Sequence, residues 1–232
     1  MTPLTIIGYL FATAVTVSCV LYLRSGSLKA DISVFRGRSW KNWVEILAGD
    51  LAAISALYLC YLAVSMAKAG SFFAQVLNFS WLQLLATKGE KAVGMNQMLA
   101  GAQIPWLGIP FVILLLVNLP RLAAAEEESY RLGTRDWKHA FPRSLSFGLM
   151  HMVVGVPLWC GLALSIPGLW FTLQYFRGGV SRSTMAHALY NMILASVLLV
   201  FVVYANIEEA ETSQRANSKH RAEKTLRSNV NR

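Results

Sequence analysis

The sequence predicts an all-α membrane protein, a polytopic bundle of about six transmembrane helices with one further helix lying in the interface. Three observations carry this. Apolar residues make up 55% of the chain, charged residues only 14%, and mean hydropathy is +0.46; a soluble domain carries about 25% charge. Apolar runs near the ~20 residues needed to cross a bilayer recur along the chain. The basic residues behind the net charge of +9 sit between those runs, where they orient the protein and meet anionic lipid. No basic stripe interleaves with aromatics, so nucleic acid is not an expected partner. The expected location is integral to a membrane.

The first span runs from Pro3 to Leu23. No basic segment precedes it and no cleavage site follows, so it reads as a retained helix, not a signal peptide. The next loop carries Arg24, Lys29, Arg36, Arg38 and Lys41 against a single Asp31, which marks it as cytoplasmic and puts the N-terminus outside. A second span runs from about Trp43 to Met66. Within it, Glu45 lies one turn from Lys41 and reads as an interfacial pair, while the deeper Asp50 reads as an interhelical hydrogen-bonding group.

Residues 72–87 follow the i, i+3, i+4 apolar pattern with polar interruptions and predict the interfacial helix. A third span covers about Ile104 to Pro120, with Pro105 and Pro110 as expected kinks. The polar stretch Leu132 to Arg143 is a cytoplasmic loop. A fourth span begins at Ser144, a fifth covers 158–176 with a distortion at Pro167-Gly168, and a sixth runs from Ser183 to about Asn206. The transmembrane domain is thus 1–206, and 207–232 is a polar tail without periodicity, expected to be mobile. Cys19, Cys60 and Cys160 are far apart in apolar runs and read as small buried hydrophobes.

Chemistry concentrates in three short motifs: Glu126-Glu127-x-x-x-Arg131, Phe147-x-x-x-His151 and His187-x-x-x-Asn191. Each sets residues one helical turn apart on one face, with ionisable groups in or at the edge of the bilayer, where such side chains are costly and mark functional sites. Glu127 can pair with Arg131, which leaves Glu126, about 100° further around the helix, free to act as a general base. A neutral imidazole at His187 and the amide of Asn191 can donate to a developing oxyanion. The competing readings are structural: a salt-bridged polar boundary at Glu126–Glu128, a packing histidine at 151, and a hydrogen-bonded pair at 187 and 191.

Taken in this order on successive helices, the motifs resemble those of the CAAX protease and bacteriocin-processing (CPBP, or Abi) family of intramembrane proteases, which includes the type II CAAX prenyl endopeptidase. The resemblance covers about residues 104–206, the expected catalytic core. Only the register starting at Glu126 fits, since one starting at Glu127 puts Leu132 at the arginine position. Tyr175-Phe176-Arg177-Gly178-Gly179 is similar to the basic turn before that family's last motif. Two positions depart from it: Glu128 follows the glutamate pair where many members have an aliphatic residue, and Leu132 follows the arginine where many have glycine.

The resemblance implies that Glu126 and His151 activate a water, that His187 and Asn191 hold the oxyanion, and that Glu127, Arg131 and Phe147 support them. It implies a peptide or membrane-protein substrate, membrane lipid as surroundings, and a site near the cytoplasmic face. Members are widely labelled metalloproteases, and a zinc would fall to Glu126, His151 and His187. The sequence has no His-Glu-x-x-His, so no cofactor is the favoured expectation. The alternatives are a non-catalytic membrane protein of the same fold, in bacteriocin immunity or complex assembly, and a small transporter, for which no paired half-helices are visible.

Overall fold

A computed structural model of the chain describes residues 3–26, 32–33, 35, 39–66, 71–80 and 108–230. All regular structure among them is helical. Helix α1 is Pro3–Ser25, α2 Trp40–Ser65, α3 Phe72–Leu77, α4 Gly108–Arg131, α5 Trp137–Met150 and α6 Leu158–Ala163. A 3₁₀ turn, His151–Val154, follows α5. The last helical stretch, Ser165–Val230, is broken at Gly178–Gly179. Its two parts are α7 (165–177) and α8 (180–230).

Among the described residues, three stretches are long and apolar enough to cross a membrane: Trp40–Ser65, Ile109–Arg131 and Leu158–Phe201. The third, 44 residues long, exceeds the ~20 residues of one crossing and contains the Gly178–Gly179 break. At that break Gly179 has φ of 69°, the left-handed region that glycine alone enters without strain. The chain then folds back: Arg182 bonds Gln174, Ser183 reaches the Phe171 carbonyl, and the His187 ring stacks on Phe171.

Local signals explain the helix starts. Ser39 caps α2 by accepting from the Asn42 N–H, and Ser71 caps α3 by accepting from that of Ala74. Asp136 caps α5 by accepting from the His139 N–H at 3.0 Å. That bond, with a second from the His139 imidazole, holds the Asp136 carboxyl below the ordinary aspartate value. Arg143 ties the α4–α5 loop down by donating to the Leu132 carbonyl at 2.6 Å and to Thr134 Oγ1 at 3.1 Å.

Several expectations change here. The segment expected to start a span at Ser144 belongs to a helix that begins at Trp137, because Asp136 supplies the cap. It ends at Met150, a length of ~21 Å at 1.5 Å per residue. The fifth segment divides into α6 and α7 around Leu164. That interruption falls one turn before Pro167, which sits in the first turn of α7, where no N–H is required. Pro110 likewise lies in the first turn of α4. The polar segment read as a mobile tail has helical backbone through Val230; it contains no proline or glycine and many good helix formers. Residues 81–87 of the expected interfacial helix, Pro105, and Lys29, Asp31, Arg36 and Arg38 lie outside the described residues.

The core sits around α8. Ile46 and Ala53 of α2, Phe147 of α5, Phe171 of α7, and Met185, Ala186 and Tyr190 of α8 form one buried cluster. A second joins Phe111, Val112 and Leu119 of α4 to Ala195, with Ala12 and Val15 of α1 packed against it. Between apolar helices in lipid, close packing and hydrogen bonds replace the hydrophobic driving force. The α5–α6 contact shows this: a Cβ on Gly148 would strike the Gly161 carbonyl oxygen. Asp50, fully buried, accepts from Trp170 Nε1 at 2.8 Å. It therefore makes the interhelical bond its depth in the span suggests, a type worth about 0.6 kcal/mol on average.

Candidate functional site

The end of α4 places its two glutamates in different surroundings. Glu127 and Arg131 are both 0% exposed and one turn apart, with Arg131 Nε 3.3 Å from Glu127 Oε2. This is a single-nitrogen ion pair, not the two-pronged fork that the residue types allow. The rest of the guanidinium lies over the Phe147 ring, 5.0 Å from its centroid, where a cation meets the negative π-face. Glu127 has two further partners from α8. His187 Nδ1 is 2.9 Å from its Oε1, and Ser183 Oγ contacts its Oε2. Ser183 Oγ also lies 2.9 Å from the Phe171 carbonyl, so its one O–H serves either acceptor.

Glu126, one residue earlier, points elsewhere and is 37% exposed. It lines a cavity of about 480 Å³ together with Leu122, Tyr130, Phe147 and His151. Its Oε2 is buried and accepts no hydrogen bond among the described residues. The nearest cation-capable atom is His187 Nε2 at 3.6 Å, beyond direct hydrogen-bonding distance.

Both imidazoles are fixed through the same nitrogen. His151 begins the 3₁₀ turn, and its Nδ1 is 2.8 Å from the Phe147 carbonyl. A carbonyl only accepts, so Nδ1 carries hydrogen and Nε2 is the free basic atom of the neutral ring. His187 Nδ1 faces a carboxylate, with the same consequence. The neutral His187 ring therefore presents an acceptor at Nε2, and it donates there only as an imidazolium. This modifies the oxyanion role expected for a neutral imidazole. Phe147 holds the arrangement together, with its ring edge-on to His151 at 4.9 Å and to His187 at 5.3 Å.

The structure thus brings Glu126 and His151 to one cavity wall. His187, 1% exposed, stands behind Glu126 and off that wall. Asn191, one turn further along α8, is half-buried and is not among the residues that line the cavity. Among the described residues no group of three His, Cys, Asp or Glu side chains is placed to hold a metal ion.

Sequence reasoning missed three participants. Ser183 lies one turn before His187 on the same helix face, and that spacing was the available signal. Tyr130 forms part of the cavity wall and packs edge-on to Phe147 at 5.6 Å. Glu45 is paired with Arg177 and Arg182 of the last helical stretch, in place of the expected Lys41. Comparison with protein-family models, with curated proteins and with solved structures finds no match to this chain, so fold and site rest on geometry.

Proposed function

We propose that this chain is an intramembrane endopeptidase that hydrolyses a peptide bond of a membrane-associated substrate. The observation that carries the reading is the shared cavity of Glu126 and His151, with a carboxylate on one and a free Nε2 on the other. Leu122, Met150 and Val153 at the same cavity are exposed and apolar, which suits entry from the lipid. A water between Glu126 and His151 gives its proton to the carboxylate as its oxygen attacks the peptide carbonyl carbon. The tetrahedral oxyanion is held by His187 as an imidazolium and by Asn191. Breaking the C–N bond returns the Glu126 proton to the departing amine. His187 and Asn191 reach the oxyanion once substrate displaces the Glu126 side chain that now covers His187 Nε2. The reaction uses no metal.

The same proposal includes six crossings. Helices α1, α2, α4 and α8 are long enough alone, and 137–154 and 158–177 cross as interrupted helices. The N-terminus is outside and the site lies near the cytoplasmic face of a bacterial plasma membrane. The 1% exposure of His187 favours the second reading, a non-catalytic membrane protein in which these groups only hold helices together. One experiment separates the two. The full chain is reconstituted in liposomes with single-pass peptides, including prenylated ones, and products are read by mass spectrometry. Cleavage by the wild type that is lost in both Glu126→Ala and His151→Ala, and persists with a strong chelator, supports the enzyme. Equal cleavage by all three proteins refutes the assignment of Glu126 and His151, and none by the wild type supports the non-catalytic reading.

A further inference from the structure

Glycine at 178 and 179 leaves the α7–α8 junction without side-chain restraint of its own, so its angle must be set from outside. Glu45 of α2 bridges it. Its Oε1 pairs with Arg177, on the near side of the break. Its Oε2 takes Arg182 Nη2, on the far side, at 2.7 Å. The remaining nitrogens of Arg182 are also used: Nη1 donates to Asn42 Oδ1 at 3.1 Å and Nε to Gln174 Oε1 at 2.6 Å. This guanidinium is only 12% exposed and joins α2, α7 and α8 at one point.

The next residue along α8 is Ser183, which touches Glu127, and one turn beyond that is His187, set between both glutamates. Any swing of α8 at the break therefore moves His187 relative to Glu126. None of the three motifs contains Glu45 or Arg182. We infer that Glu45 and Arg182 are a positioning pair for the candidate active site, closing the Gly178–Gly179 break so that His187 Nε2 is held opposite Glu126. Lysine cannot replace Arg182, because the three acceptors lie in three directions and match a planar fork. The inference rests on the proteolytic reading only for what the positioned groups then do.

The test uses the full chain labelled with ¹⁵N-histidine in lipid nanodiscs. There are four histidines, so His187 is assigned by its loss in His187→Gln. In Arg182→Lys and in Glu45→Gln, the His187 Nδ1 and Nε2 resonances and the titration midpoint move from their wild-type values. Those of His139 stay, and Lys41→Gln moves none. On a membrane peptide that the wild type cleaves, kcat falls ~10–100-fold with KM kept, as for a misplaced group. His187 resonances and midpoint unchanged in both clasp variants overturn the inference. Should those variants fail to fold, Asn42→Ala, which leaves both ions in place, is read in the same way: a smaller shift supports the clasp and none overturns it. Shifts in a protein that cleaves nothing keep the clasp and remove the protease; cleavage without shifts removes the clasp alone.

Discussion

Glu126 and Glu127 are neighbours in the chain and opposites in the fold. Glu127 is sealed and saturated, with Arg131, His187 and Ser183 around its two oxygens. Glu126 borders a cavity and keeps one oxygen unpartnered among the described residues. The ~100° between consecutive helical residues is enough to aim one carboxylate into the bundle and the other toward a site. The two histidines divide in the same way. Each is anchored through Nδ1, yet His151 lines the cavity and His187 is enclosed behind Glu126. In the proposed reading a doublet of identical residues thus holds two tasks, one in positioning and one in chemistry. Substitutions should separate them.

The largest expected effect is on the sealed side. Glu127→Ala leaves the Arg131 guanidinium buried without its counter-ion and His187 without its anchor. Removing one partner of a buried pair costs about 3–5 kcal/mol, so the thermal midpoint in detergent should drop sharply and cleavage should vanish with the fold. A midpoint equal to wild type would remove the contrast between the glutamates. Arg131→Lys sharpens it. Lysine keeps the charge near Glu127 but loses the flat contact with Phe147, so a destabilisation of about 1 kcal/mol is expected, with activity reduced less than in Glu126→Gln. Activity lost completely in Arg131→Lys yet retained in Glu126→Gln would mean that the base is assigned to the wrong residue.

The smallest effect lies outside the contrast and serves as its control. Asp136→Ala removes the cap of α5, the helix that carries Phe147 and ends at His151. The wild-type carboxyl is held below its ordinary value, so its stabilisation is present above the unfolded aspartate value of about 4 and is lost as pH falls through the lower folded value. The small difference in melting midpoint between wild type and Asp136→Ala should therefore hold at neutral pH and close in acid. A difference that grows on acidification would contradict the cap geometry.

The parts legible in the sequence were those written in local spacing. The apolar runs announce helices. The Glu127–Arg131 ion pair is an i, i+4 relation, and so is the contact of His151 with the Phe147 carbonyl. Asp136, immediately before Trp137, was a readable cap signal, but the charges of 135–143 made that stretch look like a loop. What could not be read were partners far apart in the chain. Glu45 was assigned Lys41 because it is near in sequence, while Arg182, 137 positions away, is near in space. Asp50 showed that it needed a donor, and nothing local pointed to Trp170, 120 positions on. The burial of His187 behind Glu126 depends on how α8 returns after the glycine break, and helical periodicity does not encode the angle of that return.

The central claim is that Glu126 does chemistry while Glu127 does positioning. Its most direct test is the cleavage rate of Glu126→Gln relative to wild type, per folded molecule, in the same lipid and on the same membrane peptide. The account predicts an unchanged melting midpoint with a rate lowered by ~10²–10⁴, the usual cost of losing a general base. A rate equal to wild type with the fold intact would contradict it.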